Sequence, residues 1–138
     1  MSTITVPAVG DIAERSFGPL TVTDIVRYAG ASGDFNPLHH DEEAAKAAGF
    51  VGIFSIGMFQ AALVGTFATD WLGAESVRRI TTRFKEQVWP GDTLTVTGTV
   101  SAVRPVDGGS TVEVELTCAR DKGGVAIGGS AEFFISAA

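Results

Sequence analysis

An uncharged and mostly apolar stretch, residues 49–69, constrains the fold more than any other feature of the sequence, because its surface must be removed from water. A stretch of this length is also long enough to cross a bilayer. Gln60 lies near its middle, however, and four glycines interrupt it: Gly49, Gly52, Gly57 and Gly65. These interruptions favour a helix buried inside a folded domain, so we expect no membrane insertion.

The second half of the chain is typical of β-strands. Val112, Val114, Leu116 and Cys118 alternate with polar residues, which is the period of a strand with one buried face. Four segments have strand character: residues 78–89, 94–102, 111–118 and 125–135. Turn sequences separate them at residues 89–92, 105–110 and 121–124. We therefore predict a meander of four consecutive antiparallel strands, with a further strand at residues 15–22.

The first half predicts helices. Thr23 is a suitable N-cap for a short helix that runs to Ser32, and Asp41 caps a second short helix that ends at Gly49. The longest helix is predicted over residues 57–73, where large apolar side chains recur every four residues: Phe59, Leu63, Phe67 and Trp71. We expect this helix to bury nearly all of its surface. The predicted fold class is α+β, with a curved antiparallel β-sheet wrapped around a long central α-helix.

Composition narrows the function classes. The chain of 138 residues carries a formal net charge of −6, whereas a nucleic-acid-binding protein normally presents a basic face, so we expect no nucleic-acid partner. Cys118 is the only cysteine, which excludes an internal disulfide. The N-terminus lacks the basic and apolar regions of a signal peptide, so a cytoplasmic location is expected. No repeat or linker is apparent, and we predict a single domain over residues 1–138.

The stretch SGDFNPLHHD, residues 32–41, concentrates polar and ionisable groups in a short loop. Gly33 permits a sharp turn, and the Asn36-Pro37 pair prevents a helix from continuing through the loop. A bend of this kind can bring Asp34 and His39 together. The alternative interpretation is that Asp34 and Asn36 make only local Asx turns while His39 is a satisfied polar residue.

A metal site is the other possibility for this loop, because carboxylates and imidazoles are metal ligands. Its candidate ligands are Asp34, His39, His40 and Asp41. Adjacent histidines on extended backbone point in opposite directions, and Asp41 is expected to cap a helix. We therefore predict no metal.

The run Tyr28-Ala-Gly-Ala-Ser-Gly-Asp-Phe-Asn-Pro-Leu-His39 closely resembles the signature of the MaoC-like, (R)-specific enoyl-CoA hydratases of the hot-dog fold. The resemblance covers nearly the whole chain. It implies a hot-dog domain with enoyl-CoA hydratase or 3-hydroxyacyl thioester dehydratase activity. It also assigns an acid–base dyad that holds one water to Asp34 and His39, and an orienting role to Asn36. The backbone N–H of Gly57 would donate to the enolate oxygen, and His40 is left outside the site.

The resemblance also bears on partners and cofactors. HHDEEAAKAAG, GIF and TDWLG look similar to small catalytic subunits of actinobacterial hydratases that act on steroid side-chain CoA thioesters and pair with a related chain. The family resemblance therefore implies a homodimer, or a heterodimer with a related hot-dog chain. The substrate is an enoyl thioester of CoA or of an acyl carrier, and no metal or redox cofactor is implied.

One position departs from the family pattern. Ile56 stands where the family usually has histidine, and we expect it to make the wall of the acyl entrance more apolar. Two other functions stay open: a hot-dog acyl-CoA thioesterase, and a non-catalytic subunit that binds acyl thioesters.

Overall fold

The computed structural model describes residues 4–137. Residues 1–3, part of the N-terminal stretch interpreted as lacking a signal peptide, and Ala138 lie outside the described residues. The elements are β1 Ile12–Phe17, α1 Val22–Ser32, a 3-10 turn Pro37–His39, α2 Glu42–Ala47, α3 Gly57–Leu72, β2 Val77–Phe84, β3 Leu94–Val106, β4 Gly109–Arg120 and β5 Val125–Ser136. The α+β class is confirmed.

The strands form an antiparallel sheet in the order β1-β3-β4-β5-β2. The predicted alternation is confirmed on β4, because Val112, Val114, Leu116 and Cys118 are each at most 1% exposed. The hairpins from β3 to β4 and from β4 to β5 also form where the turn sequences predicted them.

The predicted meander of four consecutive strands is wrong at its first connection. β2 ends at Phe84, earlier than predicted, and pairs with β5 rather than with β3. The turn at residues 89–92 does form, with Gly91 at φ +93° and the Asp92 N–H donating to the Trp89 carbonyl at 3.1 Å. This turn reverses the chain between β2 and β3 without pairing them, because β3 pairs with β1 on one edge and with β4 on the other. The predicted strand at 15–22 is β1, shifted to Ile12–Phe17.

Helix α3 lies against the inner face of the sheet and confirms the predicted central helix. Its buried face is contributed by Gln60, Ala61, Val64, Phe67, Ala68 and Leu72. The expectation that nearly all of its surface is buried is wrong. The sheet covers only one side, so a stripe remains exposed along Met58, Ala62, Thr66 and Asp70. No helix within residues 4–137 has both the length and the apolar character that a membrane crossing requires.

The helix caps explain where the short helices stand. Thr21, not Thr23, caps α1, because its hydroxyl accepts from the Asp24 N–H while the Asp24 carboxylate accepts from the Thr21 N–H. Gly33 ends α1 at φ +75°. Asp41 caps α2 as predicted, with its carboxylate accepting from two backbone N–H groups. The loop between Gly33 and Asp41 is therefore held at both ends.

Candidate active site

The loop between α1 and α2 is shaped by two successive Asx turns. Asp34 Oδ1 accepts from the Asn36 N–H at 3.2 Å, and Asn36 Oδ1 accepts from the Leu38 N–H at 3.1 Å. The second turn starts the 3-10 turn that carries His39. The local turns considered as an alternative are thus present, and they fix the direction of the Asp34 side chain and the backbone position of His39.

His39 faces Asp34 across a short gap. Its Nε2 lies 3.9 Å from Asp34 Oδ2, with the histidine side chain 10% exposed and the aspartate side chain 42% exposed. His39 Nδ1 lies 2.8 Å from the carbonyl oxygen of Phe54. A carbonyl only accepts, so Nδ1 carries the proton, and the lone pair of the neutral ring is on Nε2. In the neutral ring, the nitrogen that can accept a proton therefore faces the Asp34 carboxylate.

The segment that supplies the Phe54 carbonyl is tied to the fold on both sides. Phe54 N–H donates to the Leu38 carbonyl at 3.3 Å, and Ser55 N–H donates to the Val88 carbonyl at 2.7 Å. The Phe54 ring also meets the His39 ring edge-on, with centroids 5.1 Å apart. These contacts fix the orientation of the imidazole. Phe54 was not predicted as a site residue, and no sequence signal could have found it, because any residue supplies a carbonyl.

A cavity of about 240 Å³ opens beside the first turn of α3. Its lining comprises Phe54, Ser55, Gly57, Gln60, Phe84, Lys85, Glu86, Gln87 and Ile127. Gly57 is the first residue of α3, and Ile56, the N-cap, makes no side-chain cap. A helix start of this kind offers N–H groups that have no partner within the helix and a partial positive charge. A Cβ at Gly57 would lie 3.2 Å from the Phe84 ring, so glycine keeps this wall open.

The predicted site residues are brought together in part. Asp34, Asn36 and His39 form one cluster, and Gly57 lines the neighbouring cavity. Asp34 and His39 do not line that cavity. Phe54 connects the cluster to the cavity, because its carbonyl oxygen contacts His39 Nδ1 and the same residue lines the cavity.

Two buried polar side chains at the cavity were missed as site residues. Ser55 is 2% exposed, Gln60 is 3% exposed, and the Ser55 hydroxyl donates to Gln60 Oε1 at 2.8 Å. The available signal was the position of Gln60 inside an uncharged stretch. A buried amide needs hydrogen-bond partners, so a glutamine in this stretch indicates a polar position inside the core.

The remaining candidates lie outside the cluster. His40 is exposed, and Asp41 is engaged as the cap of α2. Ile56 does not line the cavity, contrary to the expectation for the acyl entrance. It is 3% exposed and packs with Ile25 and Ala29 of α1. Across residues 4–137, no three His, Cys, Asp or Glu side chains are grouped so as to hold a metal ion.

Sequence comparison identifies the family of this chain. The profile described as MaoC like domain matches residues 10–122. The chain belongs to the MaoC-like dehydratase family. Membership places it among hydratases and dehydratases, which are lyases.

Individual relatives agree with this assignment. The chain is 38% identical over 93 residues to the 3-oxo-4,17-pregnadiene-20-carboxyl-CoA hydratase beta subunit of Mycobacterium tuberculosis, a match that spans 67% of this chain and 70% of that protein. A chain of the ChsH1-ChsH2 complex from the same organism superimposes with a TM-score of 0.81 at 28% identity, over 94% of this chain and 99% of that chain. The (R)-hydratase from A. caviae also superimposes with a TM-score of 0.81, at 26% identity over 92% and 96% of the two chains. These similarities confirm the predicted hot-dog fold.

Proposed function

We propose that the protein is an (R)-specific enoyl-CoA hydratase, which in reverse is a 3-hydroxyacyl thioester dehydratase. The observation that carries the proposal is the pairing of His39 Nε2 with Asp34 Oδ2 at 3.9 Å, beside a cavity at a helix N-terminus. Family membership and the similarity to an (R)-hydratase support the same reaction class.

The gap between the two side chains suits one bridging water. At 3.9 Å, the Nε2 and Oδ2 atoms are too far apart for a direct hydrogen bond. A water about 2.8 Å from both atoms would subtend an angle of about 90°, close to the angle between its own O–H bonds. Both protein atoms are acceptors, so the water donates twice and turns an oxygen lone pair toward the substrate.

Hydration then proceeds by a balanced proton exchange. The water oxygen bonds to Cβ of the trans-2-enoyl thioester, and one water proton moves to the dyad of Asp34 and His39. The π electrons shift toward the thioester and leave negative charge on its carbonyl oxygen. That charge is stabilised by the Gly57 N–H, and the electrons return as Cα takes a proton from the dyad. Dehydration runs through the same steps in reverse.

Asn36 acts as a positioning residue in this mechanism. Its N–H holds Asp34 Oδ1, and its side chain caps the turn that carries His39. Every step uses groups of the chain, the water and the thioester, so the proposed reaction requires no cofactor. CoA or an acyl carrier enters as part of the substrate.

We further propose that the functional unit is a dimer, formed with a second copy or with a related hot-dog chain in the cytoplasm. Large apolar side chains are exposed on the segments that carry the site residues and the cavity: Phe35 64%, Val51 82%, Met58 57% and Phe84 53%. Apolar surface of this kind favours a covering partner. The similar ChsH1-ChsH2 structure is a complex, and the similar hydratase beta subunit is named for a steroid-derived CoA thioester, so bulky enoyl-CoAs are included as substrates.

The decisive experiment incubates the purified full chain with a panel of trans-2-enoyl-CoAs of different size, alone and with candidate partner chains. Loss of the conjugated enoyl absorbance is expected, with a product oxidised only by an (R)-selective 3-hydroxyacyl-CoA dehydrogenase. A thiol-reactive dye is included in parallel. Release of CoA thiol without hydration would identify a thioesterase and overturn the proposal. Binding without turnover in every combination would instead indicate an acyl-thioester-binding subunit.

A further inference from the structure

We propose that the Gln60 side-chain amide is a second hydrogen-bond donor to the thioester oxygen of the substrate, and that Ser55 positions it. This inference rests on the proposed hydratase function and assigns a further catalytic residue to it. Neither residue belongs to the dyad or to the backbone donor described above.

The first step of the argument is the burial of Gln60. It is 3% exposed, and its Oε1 accepts from the Ser55 hydroxyl at 2.8 Å. Gln60 Nε2 makes no hydrogen bond to any group within residues 4–137. Every side-chain nitrogen or oxygen in these residues that is fully enclosed has a hydrogen-bond partner, so Nε2 is not fully enclosed. Nε2 must therefore reach the surface of the cavity that Gln60 lines. A nearly buried amide with two free N–H bonds is costly unless a ligand accepts from it.

The second step is the position of Gln60 on α3. Gly57 and Gln60 are three residues apart in the first turn, so they lie on the same face of the helix. Both line the same cavity. The Gly57 N–H and the Gln60 amide therefore approach one region from neighbouring positions, where the helix also contributes partial positive charge.

The third step is the chemistry that this region accepts. Because Oε1 accepts from the Ser55 hydroxyl, the group that the Gln60 amide offers to the cavity is the Nε2 donor, and a ligand that meets it must be an acceptor. In hydration of an enoyl thioester, the acceptor that gains charge is the carbonyl oxygen. Two donors directed at a developing oxyanion are a common means of stabilising such a transition state. The Ser55 hydroxyl prevents the amide from rotating, so its donors stay directed into the cavity.

The test compares the full chain with Gln60→Met, which keeps the length of the side chain but removes both N–H donors, and with Ser55→Ala, which frees the amide. For Gln60→Met we expect kcat for crotonyl-CoA hydration to fall about 10²-fold, because one oxyanion donor is lost. Ser55→Ala should lower kcat by a smaller factor with little change in KM, because the donor remains but is no longer held. Thermal unfolding of each variant verifies that it is folded.

A binding measurement provides a readout that does not depend on turnover. Dissociation constants are measured for butyryl-CoA and for S-butyl-CoA, a thioether that lacks the carbonyl oxygen. The wild type should prefer the thioester, and Gln60→Met should reduce this preference by about 2–10-fold, which corresponds to one hydrogen bond. Each variant is compared with itself, so a general loss of stability cancels.

The outcomes separate this inference from the proposed function. If the wild type hydrates crotonyl-CoA but Gln60→Met keeps the wild-type kcat, the inference is wrong and the hydratase proposal stands. An effect confined to substrates with a polar acyl substituent would also overturn it, because Gln60 would then recognise the acyl chain. If the wild type hydrates no substrate but prefers the thioester, and Gln60→Met reduces this preference, Gln60 is supported as a hydrogen-bond donor to the thioester oxygen. The proposed hydratase activity is then wrong.

Discussion

Replacing Asp34 with asparagine separates the charge of this side chain from its role in the loop. Asp34 Oδ1 accepts from the Asn36 N–H, and the amide oxygen of asparagine can make the same bond. The other oxygen, Oδ2, faces His39 Nε2 at 3.9 Å, and the substitution replaces it with an NH2 group. A donor then faces the imidazole lone pair, so the water loses one of its two acceptors and the dyad loses its carboxylate.

The expected effects on rate and on stability differ widely. General acid–base groups contribute about 10²–10⁴-fold to a rate, so Asp34→Asn should raise the activation free energy by about 3–5 kcal/mol. The side chain is 42% exposed and keeps its turn, so the free energy of unfolding should change by no more than about 0.5 kcal/mol.

The assay follows loss of enoyl absorbance under saturating enoyl-CoA, together with thermal unfolding of the same samples. Asp41→Asn is the matched control, because it makes the same chemical change at the N-cap of α2, where asparagine is nearly as effective as aspartate. The control should retain activity. A kcat for Asp34→Asn within threefold of the control would refute the acid–base role of Asp34.

Three further predictions concern the fold. Gly98→Ala should lower the free energy of unfolding by about 1–3 kcal/mol in chemical denaturation, because its Cβ would lie 2.7 Å from a ring atom of Trp71; an unchanged midpoint would contradict this packing. Arg120→Met should lower the free energy of unfolding by about 3–5 kcal/mol, because it leaves the buried Asp92 carboxylate without its charged partner. Asp92 is 2% exposed, and its Oδ2 lies 2.6 Å from Arg120 Nε. Adding Asp92→Asn should recover part of that loss, and no recovery would argue against a charge effect. Burial raises the pKa of the Cys118 thiol to about 11, so the unfolded chain releases this proton first. Stability should therefore fall by up to about 3 kcal/mol as pH rises from about 9, the ordinary pKa of a thiol, to about 11. Denaturation midpoints across that range should show this slope in the wild type but not in Cys118→Ala, and equal slopes would exclude the thiol as its source.

Local patterns in the sequence predicted most of the elements. The alternation at residues 111–118 predicted β4, and Asp41 predicted the start of α2. The helix predicted over residues 57–73 forms as α3, which ends at Leu72 with Gly73 as its C-cap. The predicted cap of α1, Thr23, was wrong. The correct signal is nevertheless local, since Thr21 and Asp24 have the spacing of a capping box. Elements of this kind are decided by neighbours one or two turns away, which the sequence shows directly.

The pairing of the strands and the packing of α3 on the sheet could not be predicted from such local patterns. The turn at residues 89–92 specifies a reversal of the chain, but nothing local specifies that β2 pairs with β5. Gly98 occupies a position where the alternation would suit valine, and the Trp71 and Phe67 rings on α3 explain the glycine. Neither fact follows from residues adjacent in the chain.

The candidate site divides in the same way. The sequence alone determined that Asp34 and His39 share one short loop, and that the Asn36-Pro37 pair bends this loop. The tertiary structure decided the rest: the Phe54 carbonyl, 15 residues away, sets which imidazole nitrogen is free, and packing of α3 directs Gln60 into a cavity. The physical reason is that a turn is stabilised by groups that the chain already holds together. A contact between distant segments must repay the entropy of closing a loop, and only the packing of the whole core selects which contacts do so.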